Sequence, residues 1–162
     1  MKFFLKKIAI FFSRGLIKFF FRFNSGRYLI DKIIGFILCE KKKISHNNIN
    51  LEFFSPNRMN FYRIETFSTK EPDTINFIDD FKKEKVFWDI GANVGLYSCY
   101  AAKKIGCKVY SFEPSVFNLE ILTRNININS LTDKITVVPF PLSDNQSFKN
   151  FFITTKVWGG AF

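Results

Sequence analysis

The residues with the most chemical potential lie between Asp89 and Glu113. An apolar run, Val86 to Ile90, leads into Gly91-Ala92-Asn93-Val94-Gly95 and then into a stretch rich in small residues, Leu96 to Lys104. A strand that enters a glycine-containing turn and then a helix is a nucleotide-binding arrangement. The glycines let the backbone approach a ligand, and the helix N-terminus offers free N–H groups. The spacing is not the GxGxxG of dinucleotide enzymes. Instead, Asp89 stands two residues before the first glycine, where a carboxylate suits a ligand with a positively charged amino group and would be poor beside a pyrophosphate. Glu113 follows Gly91 by 22 residues and ends a second apolar run, Cys107 to Phe112. An acidic side chain there can accept both hydroxyls of a ribose. NAD and S-adenosylmethionine both present such a ribose, and Asp89 together with Asn93 favours the second. Plainer readings stand beside these: Asp89 as a helix cap, Glu113 as a solvated strand end, and Asn93 as a residue that tolerates unusual backbone angles. Tyr97, Ser98 and Tyr100, on the helix after the turn, read as packing.

The elements that must position these residues alternate. Val86 to Ile90, Cys107 to Phe112 and Ile135 to Phe140 read as strands, with a fourth, shorter strand at Phe148 to Thr154. Leu96 to Lys104 and Pro114 to Asn129 read as the helices between the first three. This βαβαβ order predicts an α/β fold with a parallel sheet and right-handed crossovers. Upstream, Ile49 to Phe54 and Met59 to Thr66 flank the turn composition Ser55-Pro56-Asn57-Arg58 and predict a β-hairpin. Glu40 to Asn50 reads as a polar linker. Pro72 opens a helix with Ile75, Ile78 and Phe81 inward and Asp73, Asp79 and Asp80 in water.

The chain has 162 residues, enough for one well-formed core, and 47% of them are apolar. Its net charge of +10 is unevenly placed. Residues 1–43 hold eleven Lys and Arg against Asp31 and Glu40, a net +9, which leaves +1 for residues 44–162. A nearly neutral body argues against a nucleic-acid substrate. Residues 1–23 form an amphipathic helix, with Lys7, Arg14, Lys18 and Arg22 opposite Leu5, Ile8, Phe12, Leu16, Phe19 and Phe23. Either it lies on an anionic membrane surface or it packs on its own domain or a partner. Asn24 to Gly26 breaks this helix, and Tyr28 to Cys39 forms a second. Cys39, Cys99 and Cys107 have no CxxC spacing, which fits reduced thiols in the cytoplasm. His46, the single histidine, leaves no multi-histidine metal site. Three segments follow: a basic Phe-rich helical segment (1–43), a linker, hairpin and lead helix (44–84), and a cofactor-binding domain (85–162).

The wording of Phe87 to Ser98 (FWDIGANVGLYS), Val109 to Ser115 (VYSFEPS), Leu122 to Asn129 (LTRNININ) and Val137 to Asp144 (VVPFPLSD) resembles the FkbM family of class I S-adenosylmethionine-dependent methyltransferases. Lys70 to Thr74 (KEPDT) also looks like a piece that precedes the first strand in some members. The resemblance covers about Arg63 to Phe162. It implies a Rossmann-like class I methyltransferase fold, here incomplete, with the first three parallel strands and their helices preceded by N-terminal helices and a β-hairpin. It implies S-adenosylmethionine as cofactor, with Gly91, Ala92, Asn93 and Gly95 shaping the pocket for its methionine part. Asp89 would orient that loop or meet the amino group, and Glu113 would bind the ribose. Pro114 and Ser115 would lie beside the adenosine, and Leu142, Ser143 and Asp144 would follow the third strand where the class meets the adenine.

The implied activity is O-methylation of a sugar, glycan or other hydroxyl-bearing small molecule, with no nucleic acid involved. The implied location is the cytoplasm, at the inner face of the membrane if residues 1–23 touch lipid. The family's Ile-Asp-Val-Glu-Gly type segment is absent, and the resemblance runs to the last residue. The expectation is therefore a fragment, inactive alone. The competing class is an inactive remnant with a membrane or partner role. A dinucleotide-dependent dehydrogenase and a DNA amino-methyltransferase rank below both.

Overall fold

The computed structural model describes residues 2–145 and 156–160. The chain divides into two units, residues 1–39 and residues 40–162. The first consists of helices α1 (Lys2–Phe20) and α2 (Asn24–Leu38). The break between them is at residues 21–23, so Asn24 to Gly26 begins the second helix and does not interrupt the first.

The second unit opens with a hairpin of β1 (Lys41–His46) and β2 (Ile49–Phe54), followed by α3 (Arg58–Glu65) and α4 (Pro72–Asp79). This corrects the expected hairpin. Its strands lie one element earlier, and the stretch read as a polar linker is β1. The turn is Asn47-Asn48, both residues at positive φ (46° and 63°), as a two-residue turn of this hand requires and asparagine tolerates. β1 escapes a hydrophobic reading because Lys41, Lys43 and Ser45 face water while Lys42, Ile44 and His46 alternate inward. Met59 to Thr66 is helical because Asn57 caps it: its side chain accepts from the Asn60 amide at 2.9 Å. Pro72 does sit in the first turn of its helix, with Ile75 and Ile78 buried. Asp79, expected in water, instead accepts from the Tyr100 hydroxyl at 2.6 Å and from Asn47 Nδ2 at 2.5 Å, joining the hairpin turn, α4 and the next helix.

From Val86 the alternation holds: β3 (Val86–Ile90), α5 (Leu96–Ile105), β4 (Lys108–Phe112), α6 (Val116–Ile128) and β5 (Ile135–Val138). The sheet is parallel, in the order β3-β4-β5. Strands added in one direction by right-handed crossovers place α5 and α6 on the same face. Phe87, Val109 and Ile135 are buried under them, together with Cys99, Ala101, Ile121 and Leu122 from the helices. This is the parallel α/β arrangement that the element order predicted and the Rossmann-like fold that the resemblance implied, and the described residues hold three of its strands. The segment expected as a fourth strand, residues 148–154, lies outside the described residues. On the opposite face Trp88 and Ile90 are 58% and 64% exposed.

The hairpin packs on the α5–α6 side. β2 offers its outward backbone groups to α6, where Asn125 and Asn129, one turn apart, take the place of a neighbouring strand. Asn129 Oδ1 accepts from the Glu52 amide at 3.0 Å, and its Nδ2 donates to the Glu52 carbonyl at 2.7 Å. Asn125 Oδ1 accepts from the Phe54 amide at 2.8 Å, and its Nδ2 donates to the Val94 carbonyl at 2.8 Å. Fully buried Asn125 thereby ties the hairpin to the glycine turn. Replacing it with alanine orphans one backbone donor and one acceptor. Asn125→Ala is expected to lower the unfolding free energy of the chain by about 2–4 kcal/mol in urea titrations. A loss under about 1 kcal/mol would show that water replaces both bonds.

Candidate functional site

The turn after β3 is shaped from both sides. Gly91 has φ of +81°, and a Cβ there would meet nothing within 4 Å, so the backbone at this point faces open space. Gly95 has φ of +80°, strained for any residue with a Cβ, and a Cβ there would also stand 2.3 Å from Leu122 Cδ1, so the buried Leu122 side chain would have to repack. The Gly91 and Ala92 amides both donate to the Phe112 carbonyl at 2.9 Å, which fastens the turn to the end of β4.

Glu113 completes the fastening. Its Oε2 accepts from the Asn93 amide and its Oε1 from the Ser115 amide, each at 2.8 Å. The side chain is 1% exposed. Asn93 holds φ of +51°, which accounts for an asparagine at this point, and its side chain also donates to the Gly160 carbonyl at 2.8 Å. Asp89 faces α5. Ser98 Oγ lies 2.5 Å from Asp89 Oδ2 and 2.7 Å from Ser111 Oγ, so the carboxylate anchors the third residue of that helix to both strands. Burial pushes the Asp89 carboxyl above its ordinary range, and the Ser98 hydrogen bonds only partly offset this.

Beside the turn lies a cavity of about 240 Å³. Asp89, Gly91, Ala92 and Asn93 line one wall. Arg63, Thr66, Lys70, Glu71 and Thr74, from α3 to the start of α4, line the other, with Tyr97 between them. Burial lowers the Arg63 pKa, opposed by the charge of Glu71; a guanidinium remains a cation even so. Burial and the neighbouring Glu71 push the Tyr97 hydroxyl up to about 12. The cavity thus sets two cations, Arg63 and Lys70, against two carboxylic groups, Glu71 and Asp89, at the carboxyl end of β3.

The sequence-named residues therefore separate. Four line the cavity. Gly95, Glu113, Pro114 and Ser115 stand behind it as its frame. Leu142, Ser143 and Asp144 are exposed beyond β5 and do not line it. Arg63, Glu71 and Tyr97 were missed as site residues. Arg63 was hidden in a supposed strand and Tyr97 read as packing; only the KEPDT wording, which contains Glu71, pointed there.

Residues 158–160 lie across this frame. The Gly160 carbonyl accepts from Asn93 and also from Asn118 Nδ2 at 3.1 Å, and the Gly159 amide donates to Asn118 Oδ1 at 2.9 Å. Arg63 Nε donates to the Gly159 carbonyl at 2.6 Å.

The raised Asp89 pKa makes stability pH-dependent. The folded chain holds a proton that the unfolded chain has already released, so this group costs nothing below the ordinary aspartate pKa. Its cost grows as pH rises from there through the folded-state value. Across that window the native chain is expected to lose stability relative to Asp89→Asn, measured as melting temperature against pH. Parallel profiles for the two proteins would place the carboxyl at its ordinary pKa.

No protein-family model matches the chain. Two curated proteins align with about half of it. One is the tRNA (guanine(37)-N(1))-methyltransferase of Dictyostelium discoideum, 29% identical over 80 residues, or 49% of this chain and 17% of that protein. The other is the hexuronic acid methyltransferase AglP of Haloferax volcanii, 26% identical over 92 residues, or 49% of this chain and 38% of that protein. The chain spans well under two thirds of the length of both. Among solved structures, M. jannaschii TYW2 in complex with AdoMet superposes with a TM-score of 0.46 at 15% identity, over 62% of this chain and 43% of that one. A SAM-dependent methyltransferase from Agrobacterium tumefaciens superposes with a TM-score of 0.46 at 16% identity, over 63% and 33%. Both curated relatives are methyltransferases.

Proposed function

We propose that this chain is the cofactor-binding part of an S-adenosylmethionine-dependent methyltransferase. The observation that carries the reading is the charge pattern of the cavity at the carboxyl end of β3. The amino-acid end of the cofactor is a zwitterion. Arg63 and Lys70 suit its carboxylate, while Glu71 suits its ammonium group and Asp89 adds to it once ionised. Gly91 leaves the space such a ligand needs, since a Cβ there would meet no protein atom. Each Glu113 oxygen accepts one backbone amide and keeps a further lone pair for a ribose hydroxyl. The cavity volume suits the amino-acid end alone, so ribose at Glu113 requires residues 158–160 to give way. When bound, the cofactor supplies an electrophilic methyl group on its sulfonium. The chain's part is to hold and orient it, and positioning supplies much of the rate in such transfers.

The finer reading is an FkbM-type O-methyltransferase whose acceptor is a hydroxyl of a sugar, glycan or other small metabolite, in the cytoplasm. The named substrate class of the hexuronic acid relative supports it. The tRNA relative points to a nucleic-acid acceptor, but the near-neutral charge of residues 44–162 favours the small-molecule class. The three cysteines are unpaired, as a reducing compartment would keep them.

Calorimetric titration of the chain with S-adenosylhomocysteine tests the cofactor reading. Losing one charge-assisted hydrogen bond costs about 1.5–3 kcal/mol, roughly a 10- to 150-fold loss of affinity. Losses of that size are expected for Arg63→Ala and for Glu113→Ala. Unchanged affinity in both variants would remove the site from these residues.

A further inference from the structure

We propose that the α1–α2 unit is a docking module for an anionic lipid surface, using both helices. The proposal is independent of the cofactor reading. It begins from how little of this unit is buried. Among the described residues of α1 and α2, only Gly26 is buried. Its place is the corner between the helices, where a Cβ would stand 2.2 Å from the Phe20 carbonyl oxygen, so the chain passes at backbone contact. Arg27 Nε donates to the Phe21 carbonyl at 2.9 Å and braces the same corner. Away from it, Phe11 on α1 is 75% exposed and Phe36 on α2 is 74% exposed, and the aliphatic residues Leu16, Ile17, Ile33 and Ile34 are exposed with them. A unit of this kind gains its hydrophobic stabilisation from an apolar phase that it does not itself supply.

Charge selects the phase. Residues 1–39 hold eight Lys and Arg against Asp31, a net +7. Lys7, Arg14 and Lys18 recur at helical spacing along one side of α1. Lys7 Nζ lies 4.8 Å from the centre of the Phe3 ring and Lys32 Nζ lies 5.1 Å from that of Tyr28, so each ammonium sits over an aromatic ring of its own helix. A basic group paired with an aromatic ring suits the headgroup level, where the ring can enter the acyl boundary and the charge can meet lipid phosphate. No helix among the described residues is long and apolar enough to cross a membrane, so the pair lies in the interface. A second copy would bring the same +7 and repel. Single-stranded RNA would use the charges and rings but has no use for the exposed isoleucines and leucines.

The test is co-flotation of the full chain with vesicles of phosphatidylcholine alone and of phosphatidylcholine with phosphatidylglycerol, at low and high salt. Binding to the anionic vesicles is expected to be at least about tenfold tighter and to weaken with salt. The triple variant Lys7→Gln, Arg14→Gln, Lys18→Gln should lose about tenfold or more on anionic vesicles. The double variant Phe12→Ser, Phe19→Ser, on the side opposite those charges, should weaken binding to both kinds. Circular dichroism checks that residues 40–162 remain folded in each variant. Equal binding to neutral and anionic vesicles, or none to either, overturns the proposal. Self-association lost in the Phe variant without vesicle binding overturns it in favour of a second copy. Salt-sensitive retention of a uridine oligonucleotide without vesicle binding overturns it in favour of RNA.

Discussion

The Glu113 carboxylate is the interaction on which the site depends. One oxygen takes the amide of Asn93 in the turn after β3, and the other takes the amide of Ser115 at the start of α6. A buried carboxylate is costly unless its lone pairs are filled, and here two backbone donors fill part of that need. In return, the two loops at the carboxyl edge of the sheet are held at fixed separation. The glycine turn, the entry to α5 and the entry to α6 all take their places from it. The group at this junction keeps acceptor capacity beyond the two backbone amides.

The same economy appears in the polar residues of the helices. Ser98 joins Asp89 to Ser111 and so locks α5 to two strands. Asn125 and Asn129 give the hairpin a substitute for a third strand, and Asn118 holds Gly159 and Gly160 across the frame. The core is apolar, but the register of its pieces is fixed by these buried amides and hydroxyls. Hydrophobic packing is nearly indifferent to small slides, whereas a paired buried amide is not. The elements before β3 take their places on this framework. The hairpin packs on α5 and α6, and the segment from α3 to α4 brings Arg63 and Glu71 opposite Asp89.

The β3-to-β5 region was legible in the sequence because its signals are local. Val86 to Ile90 is a run of strand length, apolar but for Asp89, Gly91 and Gly95 bracket a turn, and the apolar positions of α6 repeat with helical period. Asp89 and Glu113 could be singled out because chain order alone puts them at the ends of adjacent parallel strands. The upstream region misled because its signals are weak or borrowed. Lys41-Lys42-Lys43 is strand only because alternate residues meet α3 and β2. Met59 to Thr66 has strand-forming residues, yet a single asparagine cap starts a helix there.

The sequence by itself therefore determined the α/β order, the glycine turn with its two acidic companions, and the concentration of positive charge in the first 43 residues. Each is a property of residues near one another in the chain. Tertiary structure decided what those residues face. It turned Asp89 toward Ser98, buried Glu113 beneath Asn93 and Ser115, left Leu142 to Asp144 outside the cavity, and set Arg63 and Glu71 across from the turn. These outcomes depend on contacts that cross from one element to another, nine positions apart for Asp89 and Ser98 and 20 for Glu113 and Asn93, and side-chain periodicity carries no record of such partners.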